Sequence, residues 1–113
     1  MPKKQLTVRF WGTRGTAIPW QPSTRYGIQT TCLEIVPAVG NPFLLDLGTG
    51  AVPAGNELVE RGLEQSDVFF THFHSDHVCG VFSFPPFYQP GSTVRLHAPR
   101  HDIVDALPSL FSN

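Results

Sequence analysis

The sequence predicts one domain of the α/β or α+β class, spanning residues 1–113. Apolar runs of strand length dominate the first half, and segments with helical spacing alternate with strands in the second half. Hydrophobic residues make up 41% of the chain, which is ordinary for a globular protein and too high for a disordered one. A chain of this length can bury a modest core.

The first half of the chain predicts three strands. Residues 6–10 alternate between apolar and polar side chains, which is typical of a half-buried strand. Residues 31–36 and 43–47 are rich in β-branched and apolar side chains, and the turn at residues 37–42 predicts that they pair as a hairpin. Residues 12–27 have no period and predict a long loop, a kind of segment that often carries function.

The second half of the chain predicts helices placed between strands. Leu58 and Val59 are expected to face the core, and Gly62 is a natural end for their helix. The predicted elements are a helix at 52–61, a buried strand at 67–70, a helix from Val78 to the prolines at 85 and 86, a strand at 93–98 and a helix at 101–107.

Charge and cysteine content narrow the class of protein. The formal net charge is -1, so there is no overall basic field for nucleic acid, although a local basic patch stays open. Cys32 and Cys79 lie far apart in sequence and do not form a disulfide framework. The start of the chain lacks a signal-peptide pattern, and no apolar run is long enough to span a bilayer. We therefore expect a cytoplasmic protein without a membrane partner.

One short segment carries most of the chemistry. His72, His74 and His77 lie within six residues, with Asp76 among them. Imidazole and carboxylate are ligands of hydrolytic zinc sites, and residues i and i+2 after a strand project to one side, so His72 and His74 can reach one ion. Asp76 and His77 follow at a predicted helix start and could reach a second ion about 3.5–4 Å away. The small Ser75 permits the bend between the two pairs.

The candidate residues also have ordinary structural explanations. A lone histidine is more often a surface or core residue than a ligand, and Asp76 alone could cap a helix. Several clustered imidazoles gain little without an ion, which favours a metal site. Arg14 and Arg25 in the long loop suit phosphate through bidentate hydrogen bonds, and a solvated or carboxylate-paired arginine is an equal alternative.

The segment resembles a family signature. Residues 71–80, THFHSDHVCG, resemble the T-H-x-H-x-D-H-x-x-G signature of the metallo-β-lactamase superfamily. Residues 45–50, LDLGTG, are similar to the strand-end aspartate and glycine motif of that superfamily. Three further segments resemble the phosphodiesterase-like, ribonuclease Z-like members of that superfamily. They are residues 10–15 (FWGTRG), residues 25–27 together with Thr31 and Cys32, and residues 88–91 (YQPG).

The resemblance implies a fold and a reaction. The fold would be α+β, the αββα sandwich of four layers, and the chain would be its N-terminal half. His72 and His74 would hold a first Zn²⁺ and Asp76 and His77 a second, with Mn²⁺ or Fe²⁺ as alternatives. A metal-bound hydroxide would attack a small-molecule or nucleotide phosphodiester, Asp76 would orient the water or take its proton, and Asp46 would support the motif loop.

The resemblance also predicts that further metal ligands and a second half of the fold are missing from this chain. The chain ends at Asn113, before the family would supply further ligands, so we expect an N-terminal half whose first explanation is truncation. His97, His101 and Cys79 are not expected to substitute as ligands, and Cys79 is expected to be a small buried thiol. An uncovered apolar sheet face would then need a complementing C-terminal segment, or a second copy in a homodimer. The rival to a hydrolase is a non-catalytic metal-binding or assembly half-domain.

Overall fold

The described part of the chain is built on one five-stranded sheet. The computed structural model describes residues 5–15 and 27–99. The strands are β1 (Thr7–Gly12), β2 (Cys32–Val36), β3 (Phe43–Leu45), β4 (Gln65–Phe69) and β5 (Thr93–His97). The helices are α1 (Ala51–Glu60), α2 (Ser75–Val78) and two 3₁₀ helices, Val81–Ser83 and Pro85–Tyr88. The α+β class is thereby confirmed, and the four-layer αββα architecture stays a prediction.

The strands lie side by side in the order in which they occur along the chain. β1, β2 and β3 are antiparallel neighbours, which confirms the hairpin, whereas β3, β4 and β5 run parallel. Parallel neighbours need a crossover, and α1 supplies the one between β3 and β4. Because β3 and β4 are parallel, the segments that follow them meet at the same edge of the sheet.

One face of the sheet packs against α1 and holds the core. Leu44 of β3 and Val68 of β4 are buried there together with Leu58 of α1 and with Phe84. Burying each of these side chains contributes roughly 1.5–3 kcal/mol. The prediction that Leu58 faces the core is therefore confirmed, whereas Val59, predicted to do the same, is only half-buried.

A buried ion pair lies under α1. Glu34 of β2 is 1% exposed, accepts a hydrogen bond from Trp11 Nε1 at 3.0 Å and meets Arg61 Nη1 at 2.8 Å. Burial alone would raise the pKa of Glu34, but the hydrogen bonds from Arg61 and Trp11 outweigh it and hold that pKa below its usual value. Glu57 joins Arg61 to Arg9 of β1, so the pair ties the helix to two strands.

The opposite face of the sheet, which we call the open face, is formed by two rows of side chains that the strand register aligns. The first row runs across the strands through Phe10, Leu33, Leu45, Phe69 and His97. The second row runs in the same way through Val8, Ile35, Phe43, Asp67 and Arg95. The rows are apolar from β1 to β3 and polar at β5.

Two predictions about the segment after the motif were wrong. A single helix from Val78 does not form: α2 ends at Val78 and the next turn is a separate 3₁₀ helix. The interruption follows from Gly80, whose N–H donates to Leu47 O at 2.9 Å. A Cβ at that position would lie 2.0 Å from Gly48 O, so only glycine lets the chain approach the β3 end this closely. Pro85 begins a 3₁₀ helix instead of ending one, since proline at a first helical position loses no hydrogen bond.

Other predictions need smaller corrections. Cys79 is exposed and Cys32 is buried, so only Cys32 is the inert buried thiol, and burial raises its pKa to about 12. The strand predicted at 67–70 begins at Gln65, and Phe69 is 40% exposed because it points to the open face. The helix predicted at 101–107 and loop residues 16–26 lie outside the described residues.

Candidate metal centre

The histidine segment is fastened to the end of β3 by backbone hydrogen bonds. After β4 the chain passes through Thr71 to His74, which is extended and precedes α2. Leu47 N–H donates to His77 O at 2.9 Å, and Asp46 N–H donates to Phe69 O at 2.9 Å. The segment is therefore positioned by main-chain atoms at the shared edge of β3 and β4.

Asp46 is the centre of the side-chain contacts. It is 2% exposed and has a φ of 65°, in the left-handed region that Asp tolerates better than most residues. Its Oδ1 accepts from Thr71 N at 2.8 Å, and its Oδ2 accepts from Thr71 Oγ1 at 2.8 Å. His77 Nδ1 lies 2.9 Å from the same Oδ2. One buried carboxylate thus joins both ends of the motif segment.

The hydrogen-bond chain assigns the tautomers of two histidines. A carboxylate only accepts, so His77 Nδ1 carries a proton toward Asp46, and in the neutral ring Nε2 then keeps its lone pair. Thr71 Oγ1 uses its proton toward Asp46 and accepts from His72 Nδ1 at 2.9 Å, so Nε2 of the neutral His72 ring also keeps its lone pair. A metal-binding histidine is commonly oriented by this kind of hydrogen bond on its other nitrogen.

The four predicted ligands are neighbours in space. The ring of His72 lies 4.5 Å from that of His74 and 4.1 Å from that of His77, between centroids. His77 Nε2 lies 3.6 Å from Asp76 Oδ2. Two ligands that bind one tetrahedral zinc at about 2.0–2.1 Å are separated by about 3.4 Å, so this last pair fits a shared ion.

Short distances between pairs of these side chains do not by themselves make a complete set of metal ligands. Within residues 5–15 and 27–99, no group of three or more His, Cys, Asp or Glu side chains is arranged to hold a metal ion. His72 and His74 are exposed at the surface, and Asp76 and His77 are half-buried. Binding of zinc by these four side chains stays a prediction.

The other sequence candidates that the structure describes make their hydrogen bonds to residues outside the four predicted ligands. Arg14 donates from Nε to Gly27 O at 3.2 Å and forms a β-bridge with Thr30, so it is fixed to its own loop. His97 lies on β5 and contacts Asp67 Oδ1 at 3.1 Å. Arg25 and His101 fall outside the described residues.

Thr71 is a contributor that sequence reasoning left without a role. It belongs to the quoted signature, but its function depends on Asp46, which lies 25 positions earlier in the chain. A threonine directly before a metal-binding histidine is a local signal, because its hydroxyl can reach both the ring and a nearby carboxylate. That signal becomes specific only when the partner strand is known.

Within the described residues, no helix has the length and apolar character needed to cross a membrane.

Comparison with known proteins gives a distant relationship. The chain is 28% identical over 79 residues to "Ribonuclease Z" proteins of Streptococcus pneumoniae, including those of strains CGSP14 and 70585 and of serotype 2 strain D39. The match covers 70% of this chain and 24% of the relatives, so it spans about a quarter of their length. No family model and no solved structure matches the chain. The resemblance to the metallo-β-lactamase superfamily is thus supported at the level of a distant similarity to ribonuclease Z.

Proposed function

We propose that the chain is the metal-binding part of a hydrolase of the metallo-β-lactamase type that cleaves phosphodiesters. The observation that carries the proposal is the chain of hydrogen bonds from His72 through Thr71 to Asp46 and His77. In the neutral rings this chain places the proton of both histidines on Nδ1, so that the Nε2 lone pair is the one offered to a metal ion. The similarity to proteins named ribonuclease Z supports a phosphodiester as the substrate.

Each side chain has a separate task in this proposal. His72, His74, Asp76 and His77 would hold one or two Zn²⁺ ions. When bound, zinc would lower the pKa of a water molecule and polarise an oxygen of the substrate. Asp76 would accept the proton of that water at its carboxylate, and Asp46 would hold the His77 ring in place. Arg14 would contact a phosphate oxygen, since a guanidinium suits that geometry.

The alternative is a non-catalytic metal-binding or assembly half-domain. It is favoured by the geometry of the described residues, among which no three His, Cys, Asp or Glu side chains are arranged to hold one metal ion, whereas a hydrolytic zinc commonly has three protein ligands. The hydrolase and the metal-binding half-domain agree on metal binding and differ on turnover, whereas an assembly half-domain requires neither.

Metal binding and turnover should be measured on the same preparations. Purified protein is loaded with Zn²⁺ or Mn²⁺, its metal content is determined after dialysis, and hydrolysis of bis-p-nitrophenyl phosphate is followed. The proposal expects His74→Ala to lose both bound metal and activity. His97→Ala is the matched control, because it removes a half-buried histidine outside the motif and should change neither reading.

The outcomes separate the two functions. Bound zinc that depends on His74 but without turnover would favour the half-domain. Protein that retains no Zn²⁺ or Mn²⁺ at micromolar concentrations would overturn the hydrolase and the metal-binding half-domain, and would leave the assembly half-domain.

A further inference from the structure

Thr30 is a buried polar residue at which three segments of the chain meet. It is 1% exposed and lies outside the five strands, in an isolated β-bridge. The three segments are the Arg14 loop (residues 12–15), the turn from β3 into α1 (residues 48–50) and the histidine segment (residues 71–80). A buried threonine needs partners for its hydroxyl and for its main chain, so its contacts show what it holds in place.

A reciprocal pair of hydrogen bonds joins Thr30 to the turn after β3. Thr30 N–H donates to Thr49 Oγ1 at 2.8 Å, and Thr49 N–H donates to Thr30 Oγ1 at 2.8 Å. Gly50 N–H also donates to Thr30 O, at 3.2 Å. The side chain and the main chain of Thr30 therefore fix the same turn.

The same hydroxyl reaches the histidine segment. Thr30 Oγ1 lies 3.7 Å from Cys79 Sγ, which is within reach of a hydrogen bond to sulfur. Gly48 lies between the two segments, and a Cβ there would be 2.4 Å from Thr30 Oγ1 and 2.4 Å from Asp76 O. A single glycine therefore separates Thr30 from Asp76, one of the predicted metal ligands.

The main chain of Thr30 and its neighbour holds the Arg14 loop on the other side. Arg14 forms a β-bridge with Thr30, and the N–H groups of Thr13 and Arg14 donate to Gln29 O at 3.1 and 3.0 Å. A Cβ at Gly12 would lie 1.9 Å from Thr30 O, so the loop packs directly on this residue. The Arg14 loop and the histidine segment thus contact opposite sides of one threonine.

We propose that Thr30 is a positioning residue that holds the Arg14 loop and the histidine segment at a fixed spacing. The inference rests on the proposed function, in which Arg14 contacts a phosphate oxygen and the histidine segment binds the metal. A phosphodiester can meet both only if their spacing is kept, and a misplacement of about 1 Å can cost about 100-fold in activity. The contacts that set the spacing all lie within the described residues.

Thr30→Val removes the hydroxyl with little change in volume. It leaves Thr49 N–H without its acceptor and removes the contact with Cys79, so the segments on both sides should loosen together. In metal-free protein, hydrogen exchange of the Arg14 and Gly80 amides should rise at least about 10-fold relative to the amides of β4. A general loss of stability would also raise the β4 rates, because β4 has a neighbour on each side in the sheet. The ratio therefore reports the positioning of the two segments.

Matched variants make the exchange experiment decisive. Thr30→Ser keeps the hydroxyl and should restore the wild-type ratio to within about 3-fold. Thr49→Val removes the other half of the reciprocal pair, should reproduce the effect, and carries the test if Thr30→Val does not fold. Thr93→Val is the control, since Thr93 is exposed on β5, and it should leave the ratio unchanged.

Zinc binding tests whether this positioning serves the metal centre. The zinc affinity should fall about 10-fold in Thr30→Val and be retained in Thr30→Ser, as is typical of residues that support metal ligands. An unchanged exchange ratio, a rise confined to one of the two segments, an equal rise in Thr93→Val or an unchanged zinc affinity would each overturn the inference. If wild-type protein binds no zinc, the proposed function fails, and the exchange ratios still decide whether Thr30 positions the two segments.

Discussion

Replacing Asp46 by alanine tests whether one buried carboxylate holds the histidine segment in place. The change removes the acceptor of two hydrogen bonds from Thr71, both 2.8 Å long, and of one from His77, 2.9 Å long. It also leaves alanine at a φ of 65°, where an L-residue without a polar side chain is strained. Both effects destabilise the folded state.

The magnitude follows from the exposure of the partners. A hydrogen bond to a charged group contributes about 1.5–3 kcal/mol when buried. Thr71 is exposed and water can replace the carboxylate at its two donors, so about 1 kcal/mol is the better value for each of those bonds. With about 1.5 kcal/mol for the half-buried bond to His77 and about 1 kcal/mol of backbone strain, Asp46→Ala should lower the free energy of unfolding by about 4–5 kcal/mol.

Asp46→Asn separates orientation from stability. Asparagine tolerates the left-handed backbone, so the fold should lose only about 1 kcal/mol. With its oxygen facing Thr71 N–H, its amide group would face His77 Nδ1, and His77 would have to carry its proton on Nε2 instead. The zinc affinity should then fall about 10–100-fold, as is typical when the partner of a metal-binding histidine is changed.

Urea unfolding followed by circular dichroism measures the stability, and ¹⁵N NMR of the histidine side chains reads the tautomer directly. Glu60→Ala is the control for loss of a carboxylate, since Glu60 is exposed, and it should change stability by less than about 0.5 kcal/mol. The reasoning is refuted if Asp46→Ala stays within about 1 kcal/mol of wild type. It is equally refuted if His77 keeps its Nδ1 proton in Asp46→Asn.

Two further substitutions probe the scaffold. Glu34→Gln removes the charge that Arg61 meets and should cost about 2–3 kcal/mol in urea unfolding at pH 7. Because the folded pKa of Glu34 lies below its ordinary value of 4.5, the stabilisation is present above that pH and is lost as the pH falls toward the folded pKa, so the two proteins should converge in acid. A constant difference from neutral pH into acid would contradict this. Gly80→Ala would place its methyl group 2.0 Å from Gly48 O and should lower the free energy of unfolding by about 3 kcal/mol. Gly15→Ala is the control, since a Cβ there would have nothing within 4 Å, and it should lower the free energy of unfolding by less than about 0.5 kcal/mol. Equal losses of stability in thermal unfolding of the two variants would be inconsistent with this packing.

The strands were predictable because their signal is local. Alternation at residues 6–10 and the apolar runs beside the turn at 37–42 depend on neighbours in sequence, and β1, β2 and β3 form there. The helix at 52–61 was placed within one residue of α1 for the same reason. The motif itself was visible as a spacing of ligand-type residues, and the structure brings His72 and His77 side by side.

What the sequence did not reveal depends on contacts between distant segments. The helix after the motif is interrupted because Gly80 packs onto Gly48, a contact between residues 32 positions apart. Thr71 matters through Asp46, and Cys79 is exposed because α2 is only one turn long. Pattern reasoning does not weigh such contacts, and they decide both the shape of the segment and the tautomers of its rings.

The main-chain anchoring of the histidine segment has a practical consequence. Leu47 accepts from Gly80 and donates to His77 through backbone atoms, so the loop keeps its path whatever side chains project from positions 72 and 74. Those two positions face water and could be randomised in a library while the frame survives. A small strand-edge platform of this kind would suit the directed evolution of new chemistries, because variation and foldability are separated in it.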